Sequence, residues 1–204
     1  MKNRLVVLID GFNLYHALDD NPEYHKYKWL DLMKLARNVT PSSYEIKELF
    51  YFTSLMKWLP EKMARHLIFI RALESTGVQV KYGEFRIRER HCPNCNASFR
   101  SREEKQTDVN IAISLFSLAI EDRFDTALVI TGDSDIVPSI KAVRLTFPAK
   151  RVGVAIPIGR KAEDVKNVAN FYLKLKEKHF RTSMFPDEID LGNGHKVKRP
   201  TKWV

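Results

Sequence analysis

The sequence predicts an α/β fold with a mostly parallel sheet and helices on both faces. Two wholly apolar runs, Leu5-Val6-Val7-Leu8-Ile9 and Ala127-Leu128-Val129-Ile130, read as strands buried on both faces. Amphipathic stretches alternate with strand-like ones from end to end. Both apolar runs stop at acidic bends, Asp10-Gly11-Phe12-Asn13 and Gly132-Asp133-Ser134-Asp135.

The elements follow in order. Gly11 permits a tight bend after the first strand, and residues 14–18 can be helical. Residues 29–39 form a clearer helix, with Leu32, Leu35, Ala36 and Val39 at helical spacing. Residues 44–53 read as the second strand. Pro60 can open a helix whose stripe is Met63, Leu67, Ile70 and Leu73, and Gly77 can close it in a left-handed conformation. Residues 78–85 are the third strand. Residues 86–105 are a polar, basic insertion, long for an αβ unit. Thr107 is placed to cap a largely buried helix over 108–120. The strand at 127–130 follows, then a helix over 136–145 with Pro138 in its first turn, where the missing N–H costs little. Residues 151–158 form the fifth strand, and residues 161–176 read as mostly helical. From about Arg181 the chain is polar and contains Pro186, Gly192, Gly194 and Pro200. It therefore reads as one domain over 1–180 and an extended C-terminal arm over 181–204, anchored by Trp203.

Composition limits the function classes. The chain has 204 residues, 44% of them hydrophobic, enough for a sizeable core. Lys and Arg number 34 against 25 Asp and Glu, a formal charge of +9, which favours a polyanionic partner. The apolar run at 5–9 is too short for a signal-peptide core, and no stretch approaches a bilayer span. A cytoplasmic protein with no membrane partner is expected. Neither a Gly-x-Gly-x-x-Gly motif nor a P-loop occurs, which disfavours a nucleotide-cofactor enzyme.

Asp10, Asp133 and Asp135 lie at strand ends, where open parallel sheets take ligands. Asp108, at the start of its helix, can reach the same edge. Four carboxylates gathered there repel one another unless a cation joins them, and Mg²⁺ or Mn²⁺ suits oxygen ligands. Asn13 and Ser134 can add neutral oxygens. Taken singly, each aspartate can equally be a helix cap or a turn residue. His16, one helical turn after Phe12, reads as an ordinary surface histidine.

Three segments carry a resemblance: Val7-Leu8-Ile9-Asp10-Gly11-Phe12-Asn13-Leu14, Glu104-Lys105-Gln106-Thr107-Asp108-Val109-Asn110 and Ile130-Thr131-Gly132-Asp133-Ser134-Asp135-Ile136-Val137-Pro138. Together they resemble the NYN domain family of the PIN-like nuclease group, over roughly residues 4–175. The tail Lys198-Arg199-Pro200-Thr201-Lys202-Trp203 is similar to that of bacterial members. The resemblance implies a PIN-like, Rossmann-like sheet and a divalent-metal ribonuclease site at Asp10, Asp108, Asp133 and Asp135, with Asn13 as a polar companion. A Gly often follows the Lys of the second motif in that family. Here Gln106 stands there, a departure that bears on how the helix is entered.

Arg86, Arg88, Arg90, Arg100, Arg102 and Lys105 lie in the insertion and are candidates for RNA phosphates. Phe85 and Phe99 can stack on unpaired bases, which favours single-stranded or looped RNA. The only cysteines, Cys92 and Cys95, have the spacing for half of a structural Zn²⁺ site. His91 is a candidate third ligand, and a homodimer can supply the missing pair. A metal-free loop and a redox pair are the other readings. For the whole chain, the alternatives to a ribonuclease are a non-catalytic RNA-binding or regulatory protein and a metal-dependent phosphatase.

Overall fold

The computed structural model describes residues 2–95, 97–192 and 194–203. Its elements run β1 (Asn3–Asp10), α1 (Gly11–Asp19), α2 (Leu32–Val39), β2 (Tyr44–Thr53), α3 (Pro60–Glu74), β3 (Gln79–Tyr82), β4 (Glu84–His91), β5 (Ser98–Lys105), α4 (Thr107–Ile120), β6 (Thr126–Ile130), α5 (Val137–Thr146), β7 (Arg151–Ile156), α6 (Glu163–Val168), β8 (Phe171–Lys174), α7 (Glu177–Arg181), β9 (Glu188–Gly192) and β10 (His195–Lys198).

Six strands form one sheet in the order β3-β2-β1-β6-β7-β8, and every neighbouring pair is parallel. This is a doubly wound, Rossmann-like sheet, as the alternation of strands and helices predicts. β1 and β6 are central and buried, which explains their unbroken apolar runs. Side chains alternate between the faces. Leu5, Val7 and Ile9 pack with α1, α2 and α3, whereas Val6 and Leu8 pack with α4, α5 and α6. Parity therefore points Asp10, the last residue of β1, to the α4 face. The chain reverses its winding direction between β1 and β6, and that switch point opens a crevice beyond their carboxyl ends.

The structure differs from the sequence reading in several places. Residues 78–85 are not one strand. The chain leaves the sheet at Gly83, where a Cβ would lie 2.6 Å from Thr107 Oγ1 and 2.7 Å from the Lys105 carbonyl. The insertion is an antiparallel β4–β5 hairpin rather than a loop, in register from Glu84↔Lys105 to His91↔Ser98. The stretch at 161–176 contains only the short α6 and then β8, an edge strand. Its Phe171 ring fills the notch at Gly153, where a Cβ would lie 2.1 Å from the ring. Residues 181–204 are not an extended arm. β9 and β10 pair antiparallel, and Trp203 packs on Phe69 at 5.8 Å and Trp29 at 6.4 Å between ring centroids. Among the described residues, no helix is long and apolar enough to cross a membrane.

α4 is also entered differently from expectation. Thr107 is its first residue and not its cap, and the Thr107 hydroxyl donates to Glu104. The cap position belongs to Gln106, whose φ of +76° lies in the left-handed region. A side chain there costs about 1–2 kcal/mol, whereas glycine adopts the conformation freely. The exposed bond from Gln106 Nε2 to Glu84 Oε1 (3.0 Å) offsets little of that cost. Gln106→Gly is expected to stabilise the fold by about 1 kcal/mol, a rise in Tm of roughly 2–4 °C for a chain of this size. Thermal melts of both proteins check this, and an unchanged or lower Tm would refute the strain.

Candidate active site at the acidic sheet edge

The site starts from how β1 ends. Asp10 is only 4% exposed. Its Oδ1 accepts from the Asn13 N–H (3.0 Å), which caps α1, and its Oδ2 accepts from the Thr131 hydroxyl (3.0 Å). Thr131 Oγ1 in turn accepts from the Asp133 N–H (3.0 Å). Asn13 Oδ1 accepts from the Gly132 N–H (2.9 Å). These bonds tie the ends of β1 and β6 together across the switch point. The backbone turns tightly enough at Gly11 that a Cβ there would lie 2.5 Å from the Phe52 carbonyl oxygen. Asp133 Oδ1 accepts from the Asp135 N–H (3.0 Å) and so caps the short 3₁₀ turn Ser134–Ile136. Capping does not exhaust these carboxylates, since each oxygen keeps a further lone pair.

Electrostatics link the aspartates. Burial pushes the Asp10 carboxyl up to about 7, and the negative charges of Asp108 and Glu104 add to the rise. The hydrogen bonds from Asn13 and Thr131 oppose it without cancelling it. Asp108 is raised by burial and then by the charges of Asp133 and Asp135. Asp10, Asp108, Asp133 and Asp135 therefore share one field of like charge.

A fifth carboxylate joins them. Glu104 is raised by burial and by Asp108, while hydrogen bonds from Thr107 and Ser54 (3.1 Å) hold it in place. Sequence reasoning quoted Glu104 in a motif but gave it no role, because Ser54 lies fifty residues away. Among the described residues, no three His, Cys, Asp or Glu side chains stand together as a ready ligand set. The carboxylates sense one another but are not drawn together. Their oxygen chemistry still fits a hard divalent cation, whose charge would offset the repulsion that adds to burial in raising Asp10 and Asp108. Asn13 serves as a latch between α1 and the β6 bend, and Ser134 begins the 3₁₀ turn. His16 stacks beside Phe12 and Tyr15 and lines a cavity on the other side of α1.

The hairpin starts beside this edge, at the Phe85↔Glu104 pair, and carries the basic residues outward along its length without leaving them all free. Arg86 pairs with Glu84, Arg88, Arg90 and Lys105 converge on Glu103, and Arg100 pairs with Glu89. The cations hold the Glu103 carboxyl down at about 2. Arg102 lies over the Trp58 ring at 4.7 Å, and Phe85 packs edge-on against Trp58 and Phe12. Phe85 thus helps fix the hairpin to the body, whereas Phe99 is exposed. Cys92 and Cys95 lie in the hairpin turn as free thiols. The Asn94 N–H, then the Cys95 side chain and N–H, hold the Cys92 thiol below its ordinary value. The His91 ring Nδ1 is hydrogen-bonded to Ser98 Oγ (2.9 Å).

The known proteins fall into place against this geometry. The 6-hydroxy-3-succinoylpyridine 3-monooxygenase of Pseudomonas putida is 26% identical over 192 residues, covering 76% of this chain. The match takes in 59% of that protein's own length. A crystal structure of a protein of unknown function from Vibrio parahaemolyticus shares the fold, with a TM-score of 0.56. That match is 14% identical and covers 90% of this chain and 97% of the other. The NYN domain family matches residues 4–176, a span that contains all three acidic segments and the hairpin, and the chain belongs to that family.

Proposed function

We propose that this protein is a divalent-metal-dependent ribonuclease that hydrolyses RNA phosphodiester bonds at the Asp10–Asp133 edge. The observation that supports it most is the meeting of these carboxylates in one negative field at the switch point of a PIN-like sheet, with Asp10 and Asp108 raised by burial first and by that field next. Mg²⁺ or Mn²⁺ bound there would stabilise charge on the phosphoryl oxygens and lower the pKa of a water. Asp10 and Asp133 are assigned as the residues that hold the ion. Asp10 keeps a fixed orientation through Asn13 and Thr131. Asp108 and Asp135 would complete the carboxylate set or orient the attacking water. Glu104, raised by burial and held by Ser54 and Thr107, is assigned as the acceptor of that water's proton. The water oxygen bonds to phosphorus as the opposite P–O bond breaks.

Labelled single-stranded RNA, duplex RNA and DNA incubated with Mg²⁺, with Mn²⁺ or with chelator test this reading. Cleavage of single-stranded RNA only with a divalent ion is expected. RNA binding without cleavage in either metal would instead identify a regulatory RNA-binding protein. Hydrolysis of small phosphate esters alone would identify a phosphatase. The Pseudomonas putida relative favours a second reading, oxygenation of a small aromatic compound, and the same RNA panel would come out blank under it.

The hairpin is proposed as part of the RNA surface. Single-stranded RNA binding should weaken with salt at a slope of about 0.7 per phosphate contacted. Replacing Arg88, Arg90, Arg100 and Arg102 together should flatten that slope by roughly one to three contacts, because part of their charge is already shared with Glu89 and Glu103. Dissociation constants measured across a salt series decide it, and parallel slopes would remove the hairpin from the surface. At its tip, Cys92 and Cys95 are proposed as half of a Zn²⁺ site completed by a second copy of the chain. Protein purified without chelator should then carry about half a zinc per chain and run as a dimer, and Cys92→Ser should lose both. A zinc-free, reduced monomer would eliminate the bridge.

A further inference from the structure

A cavity of about 260 Å³ lies on the face of the sheet opposite the Asp10 side chain, between α1, α3 and the C-terminal segment. It sits at the carboxyl ends of β1 and β2, with Gly11, Tyr51 and Thr53 on its lining, in the region where open α/β sheets take ligands. Three features of the lining specify chemistry. The interior is apolar and aromatic, formed by Leu14, Leu18, Tyr51, Phe69 and Trp203. Its volume lies just under the roughly 300–1,000 Å³ of pockets for drug-sized molecules, so it suits one small ring system. Charge at the lining is mostly positive. Lys28 is matched by Asp19, but Lys62, Arg65 and Lys202 also line the space. Arg65 and Lys202 face a single exposed carboxylate, Glu61, at 3.8 and 3.9 Å.

One polar group is set into the wall. Burial pushes the His66 imidazole down to about 4, so it is neutral at physiological pH, and its Nε2 lies 3.3 Å from Thr53 Oγ1. Its ring also packs edge-on to Tyr51. A neutral imidazole can hydrogen-bond a ring heteroatom or substituent without adding charge. The C-terminal tail, which the proposed hydrolysis does not use, supplies Trp203 as a wall and Lys202 as a cation.

We propose that this cavity is a binding site for a planar aromatic anion, with the ring among Tyr51, Phe69 and Trp203 and the anionic group toward Lys62, Arg65 and Lys202. The proposal does not depend on which reaction the acidic edge performs. The same chemistry, a ring with a negative group, belongs both to free aromatic acids and to the 5′-phosphorylated end of an RNA strand.

Calorimetric titration of the full chain distinguishes these sources. The probes are nicotinate and indole-3-acetate, their neutral amides nicotinamide and indole-3-acetamide, and a 5′-phosphorylated RNA dinucleotide, all in chelator so that nothing is cleaved. At least one anion should bind saturably at one per chain, and its neutral counterpart at least about tenfold more weakly. Dinucleotide binding without binding of the free acids would assign the site to an RNA end. Met63→Trp, which fills the cavity, should abolish binding. Lys62→Glu, on the exposed side of α3, should weaken it about tenfold with the melting curve unchanged. Asp10→Asn should bind like the wild type, which separates this site from the acidic edge. No saturable binding of any anion at millimolar concentration would overturn the proposal. So would equal affinity for the neutral amides, or full binding by folded Met63→Trp.

Discussion

Asp10→Asn and Asp133→Asn are each expected to lower divalent-dependent RNA cleavage by on the order of a hundredfold or more, the scale lost when one electrostatic stabiliser of the transition state is removed. The fold should survive both changes. An asparagine at position 10 can still accept from the Asn13 N–H and cap α1, and one at 133 can still cap the 3₁₀ turn. The loss should therefore fall on catalysis, with the far-ultraviolet circular dichroism of each variant matching the wild type. Glu104→Gln should lose activity through the rate more than through RNA affinity, because its proposed part is taking a proton. Cleavage rates at saturating RNA measure all three. Near-normal rates from folded Asp10→Asn and Asp133→Asn would remove the acidic edge from the mechanism.

The second large effect is on stability, and it does not depend on turnover. The ordinary value for an aspartate is 3.8, and in the fold Asp10 stands at about 7, raised by burial first and by Asp108 and Glu104 next. A raised carboxyl favours the fold in its protonated form. That contribution is whole below 3.8 and is lost as pH climbs through about 7. In chelator, Asp10→Asn should therefore gain stability over the wild type across this window. The advantage at pH 8 should be on the order of 2–4 kcal/mol, since each tenfold change in proton affinity between the folded and unfolded chain is worth about 1.4 kcal/mol. That corresponds to a Tm difference of roughly 5–15 °C for a chain of this length. Adding Mg²⁺ or Mn²⁺ should raise the wild-type Tm at pH 8 and leave Asp10→Asn nearly unmoved. Melts run from pH 4 to 8 with and without metal would show it. Parallel curves for the two proteins in chelator would mean that Asp10 is not strained by charge.

Much of this arrangement is legible in the sequence. Leu5 to Ile9 and Ala127 to Ile130 are strands because each is apolar on both faces, and an unbroken run of that kind fits only a covered central position. Asp10 and Asp133 follow from the same reading, since Asp10 ends the first strand and Asp133 lies in the bend just after the second. What escaped depended on distant partners. Glu104 accepts locally from Thr107, but its second partner, Ser54, lies fifty residues away and meets it only once the chain after β2 packs beside the start of α4. β8 is a four-residue edge strand, and its place comes from Gly153 receiving the Phe171 ring. Local propensity cannot report that notch. The hairpin leaves a trace in the sequence, because Glu89 and Glu103 are interleaved with its arginines and pair across the strands with Arg100, Arg88 and Arg90. Gln106 shows a different gap. The departure from the family glycine marks the entry to the helix, and only the φ of +76° shows that the position is a left-handed cap.

Manganese binding measured by electron paramagnetic resonance tests the central claim most directly, because it asks whether the carboxylates hold an ion without asking for a reaction. Wild-type protein at pH 8 should sequester Mn²⁺ saturably, Mg²⁺ should compete for the same site, and Asp10→Asn and Asp133→Asn should each lose that site. Equal Mn²⁺ uptake by the wild type and both folded variants, or none by the wild type, would contradict a metal-holding acidic edge.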